Sequence, residues 1–223
     1  DDNENAYKAI QSNAIFTNVG LTDDNEPWWE GKKDGNPTID WKGEEISSDE
    51  GVFAHPNSRF TVSAKNNPKY SNLADSPSGV PICAIVFGGR RSELAPLVYE
   101  SKDWKHGVLV GASVGSETTA AATGEVGIVR RDPMAMKPFC GYNFADYWSH
   151  WLSFSEQSER LPKIFHVNWF RKNEKGFIWP GFGDNLRVLE WIIKRCQNKI
   201  GALETPIGFL PNLDDIDTKG LEI

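Results

Sequence analysis

Apolar and polar positions along the chain fall into three rhythms, and each predicts a different element. NAIFTNVGLT (13–22) carries a short alternating apolar segment that predicts a strand. WWEGKKDGNPTIDWKGEE (28–45) reads as an exposed loop or hairpin anchored by tryptophans, and 61–80 is loop-rich. PICAIVFGGRR, Pro81–Arg91, is a near-continuous apolar run, which predicts a strand covered on both faces and ended by a glycine turn. Gly107–Ala112 and Val126–Arg130 predict two strands on either side of a small, polar insert, SETTAAATGE. IFHVN (164–168) predicts another strand. Helical spacing governs two further stretches. From Asn143 to about Phe154, the residues Phe144, Trp148, Trp151 and Leu152 form one apolar face. From Asn185, the residues Leu186, Leu189, Ile193 and Cys196 do the same, with Asp184 as N-cap. After Ile200 the chain turns polar and loop-like.

Composition narrows the class. The 223 residues include 39% hydrophobic positions and nine tryptophans, which predicts a globular, aromatic-rich domain with a sizeable core. The formal net charge of −7 argues against general affinity for nucleic acid or an anionic membrane surface. It leaves room for a nucleotide, which needs only a few local cations. Cys83, Cys140 and Cys196 are odd in number and widely spaced, with no CxxC pair. They read as small core residues in a reducing compartment rather than disulfides or a zinc site. No run is long and apolar enough to span a membrane. DDNENAYKAI lacks the features of a signal peptide and reads as a cut into a longer chain.

The candidate chemistry concentrates in Phe165–Asn185, FHVNWFRKNEKGFIWPGFGDN. Six aromatics are separated there by Gly176, Pro180, Gly181 and Gly183, so the rings either pack a core corner or face a flat ligand. The Asn185 amide offers a donor and an acceptor, which suits the edge of a purine. HPNSRF (55–60) places Arg59 after a turn, and FGGRR places Arg90 after a strand end. Each arginine is either a surface charge or a planar fork for phosphate or carboxylate oxygens. GASVGSET lacks the lysine of a G-x-x-x-x-G-K-[ST] phosphate loop. His55, His106, His150 and His166 do not cluster in sequence and read as structural or surface residues, giving no metal ligands.

LPKIFHVNWFRKNEKGFIWPGFGDNLRVLEW resembles the guanine-binding region of GTP-dependent phosphoenolpyruvate carboxykinases, and the likeness runs from about Ile10 to Gly208. NTIFTNV-like, PNSRF, FGGRR, SEATAAA-like and DPxAMxPFxGYNF segments carry it. The resemblance implies an α/β fold: a mixed, largely antiparallel sheet with flanking helices, the C-terminal catalytic-domain portion of that fold. It implies a single C-terminal domain fragment over 1–223, with the upstream domain absent. Phe170, Phe177 and Phe182 would wall the base pocket and Asn185 would bond the guanine. Asn57, Arg59 and Arg90 would hold substrate and phosphoryl groups, with Arg90 also at the nucleotide. A mobile lid would span 116–127 and include Ser116, Glu117, Thr118 and Ala120, although Gly115 stands where many relatives carry arginine.

The implied reaction converts oxaloacetate and GTP to phosphoenolpyruvate, GDP and carbon dioxide, with manganese and magnesium bound by ligands upstream of residue 1. A monomeric cytoplasmic enzyme of gluconeogenesis is the expected whole, and this chain alone is expected to be inactive. Two other readings remain open: a free-standing guanine nucleotide-binding module, and a single-stranded nucleic-acid binder that stacks bases on the same rings.

Overall fold

The computed structural model describes residues 4–32, 34–48, 50–119 and 125–221. The chain packs as two compact units, 1–80 and 81–223. The first contains helix α1 (Glu4–Ala9) and strands β1 (Ala14–Thr17), β2 (Gly20–Thr22), β3 (Pro27–Trp28), β4 (Pro37–Ile39) and β5 (Arg59–Val62). β1 pairs antiparallel with β5, from Ala14 opposite Val62 to Thr17 opposite Arg59. β2 lies between β3 and β4 in a small antiparallel sheet. Of the two readings of the tryptophan-rich stretch, the hairpin does not form among the described residues: β3 and β4 each pair with β2, and a loop joins them. Trp29 stacks on Phe16 with centroids 5.8 Å apart, and the Glu30 carboxylate accepts the backbone N–H groups of Phe53 and Ala54.

The second unit is built on β6 (Ala84–Gly88), β7 (Val98–Glu100), β8 (Gly115–Glu117), β9 (Val129–Arg131), β10 (Lys163–Val167), β11 (Lys172–Asn173), β12 (Gly176–Phe177), β13 (Leu203–Thr205) and β14 (Gly208–Leu210). Its helices are α2 (Trp104–Ala112), α3 (Phe144–Gln157) and α4 (Asn185–Cys196). The main sheet has the order β13-β14-β7-β10-β6. Every pairing in it is antiparallel except β10 with β6, so the expected mixed, largely antiparallel α/β sheet is what forms. Alternate residues of β10 point to opposite faces. Phe165 and Val167 join Val188, Trp191 and Ile192 of α4 in one core. Ile164 joins Phe87 and Val108 of α2 in the other, which Trp148 and Trp151 of α3 flank.

Several sequence expectations need correction. Gly107–Ala112 lies in helix α2 rather than a strand. Asp103 caps it, accepting the His106 N–H at 2.7 Å. A short apolar run cannot by itself separate a buried helix from a buried strand. The spacing of Gly107 and Gly111 was the usable signal: a Cβ on Gly107 would meet Ile164 Cβ at 2.7 Å, and one on Gly111 would meet the Phe87 ring at 2.6 Å. β6 lies at the sheet edge beside β10; Ile85 and Phe87 face one core and Ala84 packs against the other, but Val86 is exposed, so the expected cover on the second face is incomplete.

The buried face of α4 is Val188, Trp191 and Ile192, whereas Leu186, Leu189 and Ile193 are exposed. Leu152 of α3 is exposed too. Asp184 stands at the N-cap position of α4 but makes no capping bond; its carboxylate accepts Arg187 Nε at 2.9 Å. The cysteines are free thiols: Cys196 is half-buried and packs against the α4 core as expected, Cys140 is half-buried, and Cys83 is exposed rather than a core residue.

One buried charge cluster joins α4 to the sheet. Glu100 is 4% exposed and its carboxylate meets Lys163 Nζ at 2.9 Å and Arg195 Nε. Arg195 also donates to the Ile200 carbonyl and Lys163 to the Arg195 carbonyl. His166, opposite Tyr99 on β7, stacks on that ring at 5.2 Å. Burial, helped by the nearby Arg91 charge, pushes its pKa down to about 4.

Two measurements follow from this packing. Gly107→Ala should destabilise the chain by about 1–3 kcal/mol in urea unfolding, although alanine is the better helix former, because overpacking against Ile164 outweighs helix propensity. The depressed His166 pKa means the unfolded chain takes up a proton that the folded chain refuses. The neutral-His contribution is therefore complete above the ordinary value of 6.5 and is lost as pH falls toward about 4. It amounts to about 3 kcal/mol, and His166→Phe should show a correspondingly shallower loss of stability across that window.

Candidate functional site

The loop after β10 is fixed before any aromatic is placed. Asn168, 1% exposed, accepts the N–H groups of Arg91 and Phe170 on Oδ1, both at 3.2 Å. Its Nδ2 donates to the carbonyls of Arg91 (2.9 Å) and Ala95 (3.1 Å). One side chain thus holds the segment after β6 against the segment after β10. Sequence reasoning missed it; the available signal was a polar residue closing an otherwise apolar strand.

Phe170 and Phe177 are brought together, with centroids 6.0 Å apart in an edge-to-face pair. The Arg90 guanidinium lies 5.1 Å from the Phe170 centroid, and Lys172 Nζ lies 4.8 Å from that of Phe177. Phe177 and Phe182 are both exposed. Phe182 makes no ring contact with the other two among the described residues. It stands at φ 38°, in the left-handed region that a bulky residue adopts only under strain. Gly181, at φ 80°, turns the chain just before it.

Asn185 opens α4 and is oriented by Trp179, whose indole N–H donates to Asn185 Oδ1 at 2.8 Å. An indole is a donor only, so the amide carbonyl must face it. The Asn185 NH2 group has no protein acceptor among the described residues. Trp179 itself is 4% exposed and belongs to the α4 core.

The segment expected to act as a lid begins inside a two-stranded ribbon. β8 pairs with β9, with Ser116 opposite Arg130 and Glu117 opposite Val129. Thr118 extends the ribbon: its N–H donates to the Ile128 carbonyl, its own carbonyl accepts the Gly127 N–H, and its hydroxyl donates to the Glu125 carbonyl. Ser116 is buried. Ala120 lies outside the described residues. Burial pushes the Glu117 carboxyl up, but two hydrogen bonds from Ser92 and the charges of Arg91 and Lys172 outweigh this and hold it below its ordinary value.

Asn57 and Arg59 sit together in the first unit, Arg59 Nε donating to Asn57 Oδ1 at 3.0 Å. His55 Nδ1 accepts the Asn57 N–H at 2.9 Å and tightens the same turn. A cavity of about 650 Å³ opens beside them, lined by Phe16, Trp29, Lys32, Arg59 and Phe60 among others. Among the described residues no three His, Cys, Asp or Glu side chains converge as metal ligands. The divalent metals implied by the resemblance therefore find no matching donor set there.

The sequence matches the family described as phosphoenolpyruvate carboxykinase C-terminal P-loop domain over residues 1–223. Among similar proteins are three named phosphoenolpyruvate carboxykinase [GTP]. The one from Chlamydia muridarum is 53% identical, and those from Thermoplasma volcanium and Neocallimastix frontalis are each 52% identical. Each alignment covers 99% of this chain and 38% of the relative, so the chain spans well under half the length of the curated relatives it matches. No helix among the described residues is long and apolar enough to cross a membrane. With every residue inside the matched range, the chain belongs to the phosphoenolpyruvate carboxykinase (GTP) family.

Proposed function

We propose that this chain supplies the guanine-reading and phosphoryl-facing part of a GTP-dependent phosphoenolpyruvate carboxykinase. The whole enzyme would convert oxaloacetate and GTP to phosphoenolpyruvate, GDP and carbon dioxide. The observation that carries the reading is the amide of Asn185, whose orientation Trp179 fixes, in the same Phe165–Asn185 segment that carries the edge-to-face Phe170–Phe177 pair. With its carbonyl committed to the indole, the amide presents NH2 as donor. Guanine offers a carbonyl O6 to accept it, and its N1–H can reach the second lone pair of Oδ1. Adenine offers an amino group at the matching position, so donor would face donor. The phenylalanines would supply sequence-blind stacking, and the asparagine the choice of base.

Phosphoryl transfer asks mainly for positioning and charge neutralisation. Arg90, stacked on Phe170, would bridge base and phosphate ends of the nucleotide. Arg59, steadied through Nε by Asn57, would present its remaining guanidinium donors to substrate or to the transferred group. Residues 116–127 would close as a lid and exclude water while the enolate exists. Manganese and magnesium would be held by residues other than these, and no step here runs through them. A gluconeogenic role, a cytoplasmic location and a monomeric state go with the reading.

The first test is a titration of this chain with GTP and ATP, read by tryptophan fluorescence. Saturable quenching by GTP and none by ATP is expected, since Trp179 touches the base-reading amide. Asn185→Asp keeps an acceptor for the indole but removes the NH2 donor. It should weaken GTP binding by about tenfold or more and erase the preference over ATP. An unresponsive wild-type chain would overturn the reading. In a separate assay with GTP, oxaloacetate and manganese, this chain should show no turnover, because its 223 residues contain no G-x-x-x-x-G-K-[ST] loop. Robust turnover would mean that the phosphates are held in another way.

A further inference from the structure

Arg90 stands on a loop with little packing of its own; Arg90, Glu93 and Leu94 are exposed. Asn168 holds it on one side, and a row of polar contacts from β8 holds it on the other. Ser116 Oγ accepts the Arg90 N–H at 3.0 Å, and the Arg90 carbonyl accepts the Glu117 N–H at 2.8 Å. Glu117 Oε1 then accepts both the N–H of Ser92 at 2.7 Å and its hydroxyl at 2.6 Å. Charge-assisted bonds of this length are among the stronger polar contacts in a protein. On its other side, the Ser92 carbonyl accepts the Lys172 N–H at 3.0 Å. Lys172 opens β11, lies opposite Phe177 of β12, and places its ammonium over that ring. A continuous set of contacts therefore runs from Glu117 through Ser92 and Lys172 to Phe177.

We propose that Glu117 is a positioning residue that acts through Ser92 to lock the β8–β9 ribbon to the β11–β12 hairpin, so that guanine-nucleotide binding depends on it. The proposal rests on the base-site reading above. Ser116 ties the ribbon to the Arg90 backbone and Asn168 ties the same loop to Phe170, but among the described contacts Glu117 is the side chain that reaches Ser92, the residue whose carbonyl holds the hairpin. With Glu117 in place, the ribbon at the root of residues 119–126 and the hairpin carrying Phe177 share one reference point, Ser92. Ordering of one then biases the other, because both are tied to the same backbone. Glutamine at 117 keeps a carbonyl oxygen that can accept both Ser92 donors, whereas alanine keeps none.

The test is amide hydrogen exchange on the ligand-free 223-residue chain, paired with GTP titration, for wild type, Glu117→Ala, Glu117→Gln, Ser92→Ala and the Glu117→Ala/Ser92→Ala double variant. Glu117→Ala should lower protection of the Lys172 amide by about tenfold while amides of β10 keep theirs, and Glu117→Gln should restore most of it. GTP affinity should fall by about tenfold in Glu117→Ala, with Ser92→Ala adding little on top, since both act on one contact. Unchanged Lys172 protection would overturn the proposal, and so would an equal loss across β10, which signals plain destabilisation. Loss of Lys172 protection with undiminished GTP affinity would overturn the link to nucleotide binding. If wild type binds no GTP, the base-site reading falls and takes that link with it, while the exchange data still decide the contact between ribbon and hairpin. Glu117→Gln, the mildest change, keeps the test available if the alanine variant does not fold.

Discussion

The buried amide of Asn168 is the constraint on which the site depends. It satisfies four backbone groups at once, two N–H groups and two carbonyls, at 1% exposure. An amide offers two donors and two acceptor lone pairs, so its hydrogen-bonding capacity there is fully used. Without it those partly buried backbone groups would lose their partners, at a cost of up to about 1 kcal/mol apiece where water can replace the amide only in part. Two loops from parallel neighbours, β6 and β10, thus leave the sheet edge at a fixed separation. Arg90 is carried by one and Phe170 by the other, and the cation–ring contact between them is the visible result.

Around that amide the site is assembled from polar contacts and exposed rings more than from core packing. Phe177 and Phe182 are open to water, and Phe182 accepts a strained backbone. Trp179 bridges the two regimes: its ring lies in the α4 core while its N–H fixes Asn185. The same economy holds in the first unit, where Asn57 holds Arg59 and His55 in turn holds the Asn57 backbone. Binding groups on loops disciplined by a rigid scaffold are the usual arrangement for recognition.

What the sequence disclosed and what it hid divide along contact range. The aromatic cluster of 165–185 and the α4 start at Asn185 were legible because their parts lie within a few residues of one another. The fold class followed from alternating and helical patterns, and from the resemblance. The face of α4 was misread because two apolar stripes overlap on it. Leu186, Leu189 and Ile193 satisfy the helical period as well as Val188, Trp191 and Ile192 do, and only the sheet beneath decides between them. Helix α2 was misread because a short apolar run fits a buried strand as well as a buried helix, and its two glycines are the clearance that lets it approach Phe87 and Ile164. Asn168 escaped notice, and Glu117 was read only as part of the lid, because their partners lie 77 and 25 residues away. A single sequence does not say which distant group such a residue will meet.

The carboxylate of Glu100 has a bearing on how this sequence can change over time. It sits buried between Lys163 and Arg195, contributed by a different strand and by α4. Removing Glu100 leaves Lys163 and Arg195 without their counter-charge, which is costlier than exchanging the whole set for apolar residues, whereas losing one cation leaves Glu100 paired with the other. Replacement of Glu100 alone should therefore be purged, while concerted changes pass. Across descendants of this chain a change at position 100 would travel with changes at 163 and 195 as one inherited character, though two of the sites lie 95 residues apart.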